Sequence, residues 1–378
     1  MAKAQGSQVD IGYKVEVTPG TTPAGDWNRI RKNSESIAGT AGSVESGEIR
    51  SDRKSASDIQ GNKNVGGEIV TELSGISHDA LIKSAMYSAF VTTDTTATTL
   101  DAVASGNKIT RASGSFVTNG FIAGQWALIS GFSNAANNGW VKITAVSALE
   151  LTVAGQTLAN ESGGGDERVR ARYIIGGVDP SHLSVVKRYT DIDKEIIFNG
   201  CVVDQMAMTV APEAAVGLTF TLNGRGEDAP TAITGDANND VATTDPFTSF
   251  SGKVLLDNVL NSNITQIDLT LANNNTDGFV IGSRTKVDQF AGRANIEGTI
   301  SMYFDNLDEY EDSAAHTSKN ISFSLIEGSS YFGITLPRAY YDLETPKAGD
   351  EGPLLLTGPV RAKLDSAANT DCIISLQA

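Results

Sequence analysis

Histidine and cysteine are scarce in this chain, and their scarcity narrows its chemistry. The three histidines, His78, His182 and His316, lie too far apart for an HExxH motif or any i, i+4 metal pair. Cys201 and Cys372 have no CxxC partner, so neither a zinc site nor a redox motif is readable, and both are expected as buried free thiols. There is no GxSxG elbow and no GxxxxGK-S/T phosphate loop. No cofactor is expected. No apolar run approaches the ~20 residues that span a bilayer, so no membrane association is expected. The opening MAKAQGSQVD lacks the apolar core of a signal peptide. Positive charge is short as well: 29 Lys and Arg against 45 Asp and Glu give a net charge of −16. A protein that grips nucleic acid carries a basic face; this composition predicts repulsion from DNA instead. The densest basic groups, Arg29-Arg31-Lys32 and Arg168-Arg170-Arg172, stand near acidic residues, so ion pairs are expected there rather than phosphate contacts.

Long blocks of helix formers are also missing, while Thr, Ser, Asn and Gly are abundant. That composition predicts an all-β protein with short flanking helices. At 378 residues the chain has room for two or three domains. Period-2 alternation marks half-buried strands at Gln205 to Val210, at Val216 to Leu222, and at Ile267, Leu269 and Leu271. Ser77 to Phe90 reads as a helix with Ser77 as N-cap and His78 as a surface or capping residue at its start. Residues 33–47 are Ser/Gly-rich and read as a loop. DNLDEYED, Asp305 to Asp312, reads as a short solvated helix. Between residues 98 and 168 the texture changes to short strands separated by turns, which predicts a small inserted β-barrel. A Gly/Asp/Asn/Thr-rich linker is expected at 229–244.

Glu48 to Leu73 reads EIRSDRKSASDIQGNKNVGGEIVTEL: alternating charge, then a polar segment, then a strand from Glu68. A shift of about 231 residues lays Arg53 on Arg284, Gly61 on Gly292, Asn64 on Asn295, Val65 on Ile296, Gly67 on Gly298 and Ile69 on Ile300. The echo predicts two tandem copies of one sheet-plus-helix unit, the first formed by residues 1–97 and 169–228, the second by 245–378.

Catalytic vocabulary is thin. Asp191, Asp193 and Glu195 alternate, and at strand spacing their carboxylates would share a face, which could suit glycoside hydrolysis. An exposed acidic strand is the plainer expectation. Trp126 and Trp140, if exposed on the insertion, would suit a glycan-binding β-module on a virion decoration or adhesin protein. The plainer expectation is that both sit in its core.

The run EIRSDRKSASDIQGNKNVGGEI followed by SHDALIKSAM resembles the tail tube (major tail) proteins of long-tailed bacteriophages. FNGCVVDQMAMTV, VGLTFTLNG and GRANIEGTISMYFDN fit the same pattern, so the likeness covers about residues 8–95 and 170–378. The resemblance implies a β-sandwich or barrel flanked by a helix, in subunits that join edge to edge into rings. Stacked rings form a hollow tube through which genomic DNA leaves the capsid. It implies a virion protein assembled in the host bacterial cytoplasm, of the non-contractile (siphophage) type. Its partners would be further copies of itself, the tape measure protein, the tail terminator and tip proteins, and double-stranded DNA in transit without specific binding. A long loop of such proteins reaches the next ring; here it would be residues 45–66, with its echo at 275–295. The stacking residues would then be Glu48, Arg50, Asp52, Arg53, Asp58 and Lys63, with Arg284, Lys286 and Asp288 in the second loop. With two units per chain, three chains would make a ring of sixfold appearance, with the insertion on the outside.

Overall fold

The alternating stretches do become strands, and the strands pair in a pattern that occurs twice. The computed structural model describes residues 3–54, 57–95, 99–234, 237–239, 244–346 and 351–377. The expected 97–98 boundary and linker 229–244 fall partly outside the described residues. In the first unit Val9–Val15 pairs with Leu183–Tyr189, which turns back into the long strand Lys194–Val210. The far half of that strand pairs with Gly217–Gly224, then come Ile59–Glu72 and Ala38–Val44. In the second unit Lys253–Leu256 pairs with Lys319–Glu327, which turns back into Ser330–Tyr341. The end of that strand pairs with Leu355–Ala362, followed by Asn295–Tyr303 and Ile264–Ala272. Each of these pairings is antiparallel, and the strands come in the same chain order in both units. A helix follows the third strand of each: Asp79–Met86 in the first and Asp308–Ala314 in the second.

The echoed glycines show why the sequence repeats where it does. A Cβ on Gly67 would lie 2.5 Å from the Cα of Ile37, and one on Gly298 would lie 1.8 Å from the carbonyl oxygen of Asp268. Both glycines therefore let the neighbouring strand's backbone approach on the same side of the same pairing. Gly61 and Gly292 likewise face backbone, of Gly42 and of Asn273 and Asn274.

One further pairing fuses the units. Gln205 to Val210 pairs antiparallel with Ile267 to Ala272. The result is a continuous wall of eight strands, four from each unit. Its inward face carries Val65, Ile69, Met206, Met208, Leu218, Phe220, Ile267, Leu269, Ile296 and Ile300 into one buried core. At ~25 cal/mol per Å² of apolar surface removed from water, this core is the main source of stability.

Residues 100 to 171 enclose a core of their own, built on Leu100, Ile109, Phe116, Ala127, Ile129, Val141, Ile143, Leu151 and Val169. The strands run in the order Leu100–Val103, Lys108–Arg111, Glu150–Ala154, Gly139–Val146, Trp126–Ser130 and Arg168–Ile175. The last of these leaves the small core to pair with Ile373–Gln377. Trp126 is buried, and Trp140 stacks on Tyr331 of the second unit with ring centroids 3.8 Å apart. The expectation that both sit in the core of the insertion is corrected: they pack against Tyr331, Trp126 also against Leu255, so neither indole is free to face a glycan.

Several local expectations are corrected. Residues 33–47 hold the strands Ser34–Glu35 and Ala38–Val44: Gly42 lies against the backbone of Asn62 in the next strand, and Gly39 leaves room for the Glu227 side chain. That next strand begins at Ile59, not at Glu68, so the polar stretch 59–67 is ladder rather than loop. His78, not Ser77, is the N-cap; it is buried, bonds Thr71 Oγ1 at 3.0 Å through Nε2 and stacks on Phe220. Burial and the nearby Arg31 guanidinium push its pKa down to about 4. Asp191 and Asp193 lie in the hairpin turn, Asp193 at φ 51°, while Glu195 is buried against Arg188 at 3.0 Å. The three carboxylates therefore share no exposed face, and a pair poised for hydrolysis is absent there.

Candidate assembly surfaces

Three surfaces of the wall follow from its strand order: the loop end, the polar face and the open edges. At the loop end, residues 45–58 connect Ala38–Val44 to Ile59–Glu72, and residues 273–294 connect Ile264–Ala272 to Asn295–Tyr303. The two loops leave the same end, and the second touches the start of the strand that follows the first, Ile59–Glu72. The amide of Lys63 donates to the carbonyl of Arg284 at 2.7 Å, and the Arg284 guanidinium bonds Gln60 Oε1.

The loops differ in how they are held. In the first, Glu48, Arg50, Asp52, Arg53 and Asp58 are all exposed. Arg50 forks onto Asp52 with both contacts at 3.0 Å, which holds the carboxyl of Asp52 below its usual range. Arg53 sits at φ 56°, turning the chain sharply after that pair. Ile49 stands 99% exposed at the tip. The second loop folds a small hairpin, Thr276–Gly278 with Asp288–Phe290, and is tied to the first unit. Lys286 is buried, with Nζ 2.5 Å from Asn223 Oδ1 and 2.9 Å from Asp277. Asp288 meets Arg225 at 2.6 Å. Lys286 and Asp288 thus fasten the loop within the chain, leaving Val280 and Ile281 exposed at its tip. The opposite end of the same wall holds an apolar groove lined by Val210, Pro212, Phe250, Leu260, Ile264 and Phe323.

The face of the wall turned away from the core is polar. Thr219, Thr221, Asn223, Gln205, Thr209, Thr270, Thr299 and Ser301 cover it, because alternate residues of each core-facing strand must point outward. Acidic side chains stand among them: Glu68, Glu72, Asp268 and Glu297, with Asp342 and Glu344 beyond the last strand. Arg361 also lies on this face and is paired with Asp342 at 2.6 Å. Reading the sequence alone did not assign this face; the Thr-rich alternation opposite Leu218, Phe220 and Leu222 was the available signal.

The wall has two open edges. Among the described residues no strand lies outside Ala38–Val44, and none lies outside residues 342–346, which continue Ser330–Tyr341 along Leu355–Ala362. That continuation rests on the amides of Asp342 and Glu344, which donate to Pro359 and Thr357.

Against known proteins, the sequence profile described as phage tail tube protein matches residues 6–362. The chain belongs to the phage tail tube family. No curated protein sequence matches it. The tail tube protein is thus a structural component of the virion tail, with the all-β fold its family implies.

Proposed function

We propose that three copies of this tail tube protein join edge to edge into a ring of six sheet units, and that rings stack into the hollow tube through which genomic DNA is ejected. The observation that carries this reading is the eight-strand wall: one face apolar and covered, one face polar, and both edges without a neighbouring strand among the described residues. A long sheet with bare edges is a liability, and ring closure removes it. Head-to-tail contacts of this type close by rotation. The polar face then lines the lumen. Glu68, Asp268 and Glu297 repel phosphates there, so DNA slides without being held.

The 45–58 and 273–294 loops reach the next ring and meet the opposite end of its wall, where the apolar groove receives their exposed tips at Ile49 and Ile281. Glu48, Arg50, Asp52, Arg53 and Asp58 supply polar contacts around them, and the bond from Lys63 to Arg284 braces the second loop against the strand Ile59–Glu72. The tube is of the non-contractile kind, assembled in the host cytoplasm with the tape measure protein inside and the terminator and tip proteins at its ends. Electron microscopy of the purified protein tests this reading. Stacked rings or tubes are expected; a dispersed monomer at high concentration would overturn it.

A further inference from the structure

The junction between the two units is built from a pair of edges, and each of those edges has a counterpart beside which no strand lies among the described residues. In the junction Gln205 faces Ala272 and Ala207 faces Thr270. The repeat assigns counterparts through the strands that each residue faces. Val70 and Ser301 correspond, being 231 positions apart, and they face Thr219 and Thr357. Thr219 in turn faces Ala207, while Thr357 accepts from the amide of Glu344. Glu344 therefore stands in the second unit where Ala207 stands in the first, and Asp342 stands where Gln205 does. On the other edge, Gly66 and Glu297 correspond and face Ala38 and Thr270. Ala38 thus stands for Thr270, and Thr40 for Ala272.

We propose that residues 342–346 of one copy pair antiparallel with residues 36–40 of the next, in the register that sets Glu344 opposite Ala38 and Asp342 opposite Thr40. The proposal rests on the ring reading above and specifies its contact. The backbone is prepared for it. Ser36 donates its amide to Glu68, and the amides of Asp342 and Glu344 donate to Pro359 and Thr357. By strand alternation the groups of Ile37 and Gly39, and of Leu343 and Thr345, turn to the open edges. In the single chain side chains stand in for the missing strand. The Ile37 amide donates to Glu35 Oε2 at 3.0 Å, and its carbonyl accepts from Lys187 Nζ at 3.5 Å. The Leu343 amide donates to Ser313 Oγ at 2.8 Å. An added strand would displace these contacts with main-chain bonds.

In this register Ala38 and Glu344 form a non-hydrogen-bonded facing pair, for which Cα atoms lie about 4.5 Å apart, within the span a disulfide needs. Both side chains are exposed, and native Cys201 and Cys372 are buried. The test is the double variant Ala38→Cys/Glu344→Cys, assembled, imaged, oxidised and run on a non-reducing gel, beside Gly42→Cys/Glu344→Cys. A ladder ending at the covalent trimer is expected from the first and little cross-linking from the second. A mixture of Ala38→Cys and Glu344→Cys single variants should give covalent dimers only, which checks the pairing if the double variant folds poorly. Rings in the micrographs with cross-linking at Gly42 but not at Ala38, or at neither, would overturn the register and leave the tube intact. Absence of rings from the wild-type protein would overturn both.

Discussion

The helix Asp79–Met86 buries six of its eight residues, whereas its counterpart Asp308–Ala314 buries none. The first helix is enclosed by neighbours in the same chain. Asn273 Nδ2 donates to the carbonyl of Ala85 at 2.9 Å, Tyr87 donates to Asn275 at 2.8 Å, and Arg172 of the strand leaving the insertion pairs with Asp79. The second helix has an acidic first turn and Lys319 set against Asp312 and Glu309. The same fold thus shows one flank closed within the chain and one flank still open. A second contrast lies inside the units. Glu35 and Lys187 form an ion pair at 2.7 Å in the first, where the repeat places Ile267 and Phe323 in the second. Both apolar residues are buried in the core. The charged pair sits beside the open edge, and the apolar pair beside the edge already occupied.

The sharpest way to break the correspondence is at its glycines. Gly67→Val and Gly298→Val should each abolish folding or cost more than about 4 kcal/mol in urea denaturation, since the new side chain meets backbone that cannot retreat. Gly47→Ala, with open space around it, should change little. Next in size is the exchanged pair. Glu35→Ile alone strands Lys187 and should cost about 3 kcal/mol. Adding Lys187→Phe, which rebuilds the second unit's arrangement, should restore most of that loss.

A pH effect of similar size distinguishes the units, because the N-cap of the second helix is the exposed Leu307 and that of the first is the buried His78. The folded pKa of about 4 lies below the ordinary 6.5, so the unfolded chain binds more protons between those values. This group's contribution is present above pH 6.5 and is lost as pH falls toward 4, about 3 kcal/mol in all. Thermal melts across that range should show a slope that His78→Gln removes; an unchanged slope would count against the buried neutral ring. Smallest is the loop contrast. Arg50→Glu with Arg53→Glu should leave rings intact but shorten tubes and raise their salt sensitivity, since exposed ion pairs are weak and screened by salt. Lys286→Ala should instead lower the stability of the subunit, as its ammonium is used inside the chain. Tube lengths on micrographs and subunit melts separate the two effects.

Much of the fold was legible because it rests on local rules. Alternation at Met206 and Met208 and at Leu218 to Leu222 marked the strands, and the paired glycines marked the repeat. The burial of His78 was not legible, since it depends on Phe220 and Arg31 arriving from distant segments. The strand at Ala38–Val44 was hidden by its Ser and Gly content, which an edge tolerates when its partner supplies the order. The loop residues were visible as charge, but nothing local separates Arg50, paired with its neighbour Asp52, from Lys286, buried against Asn223. The polar face with Glu68, Asp268 and Glu297 appears only once strands far apart in sequence lie side by side.

With two units per chain, three chains complete the proposed ring. Native mass measurement of single rings released from tubes tests it directly. A ring mass of three 39.7 kDa chains is expected. Six chains per ring would contradict the account.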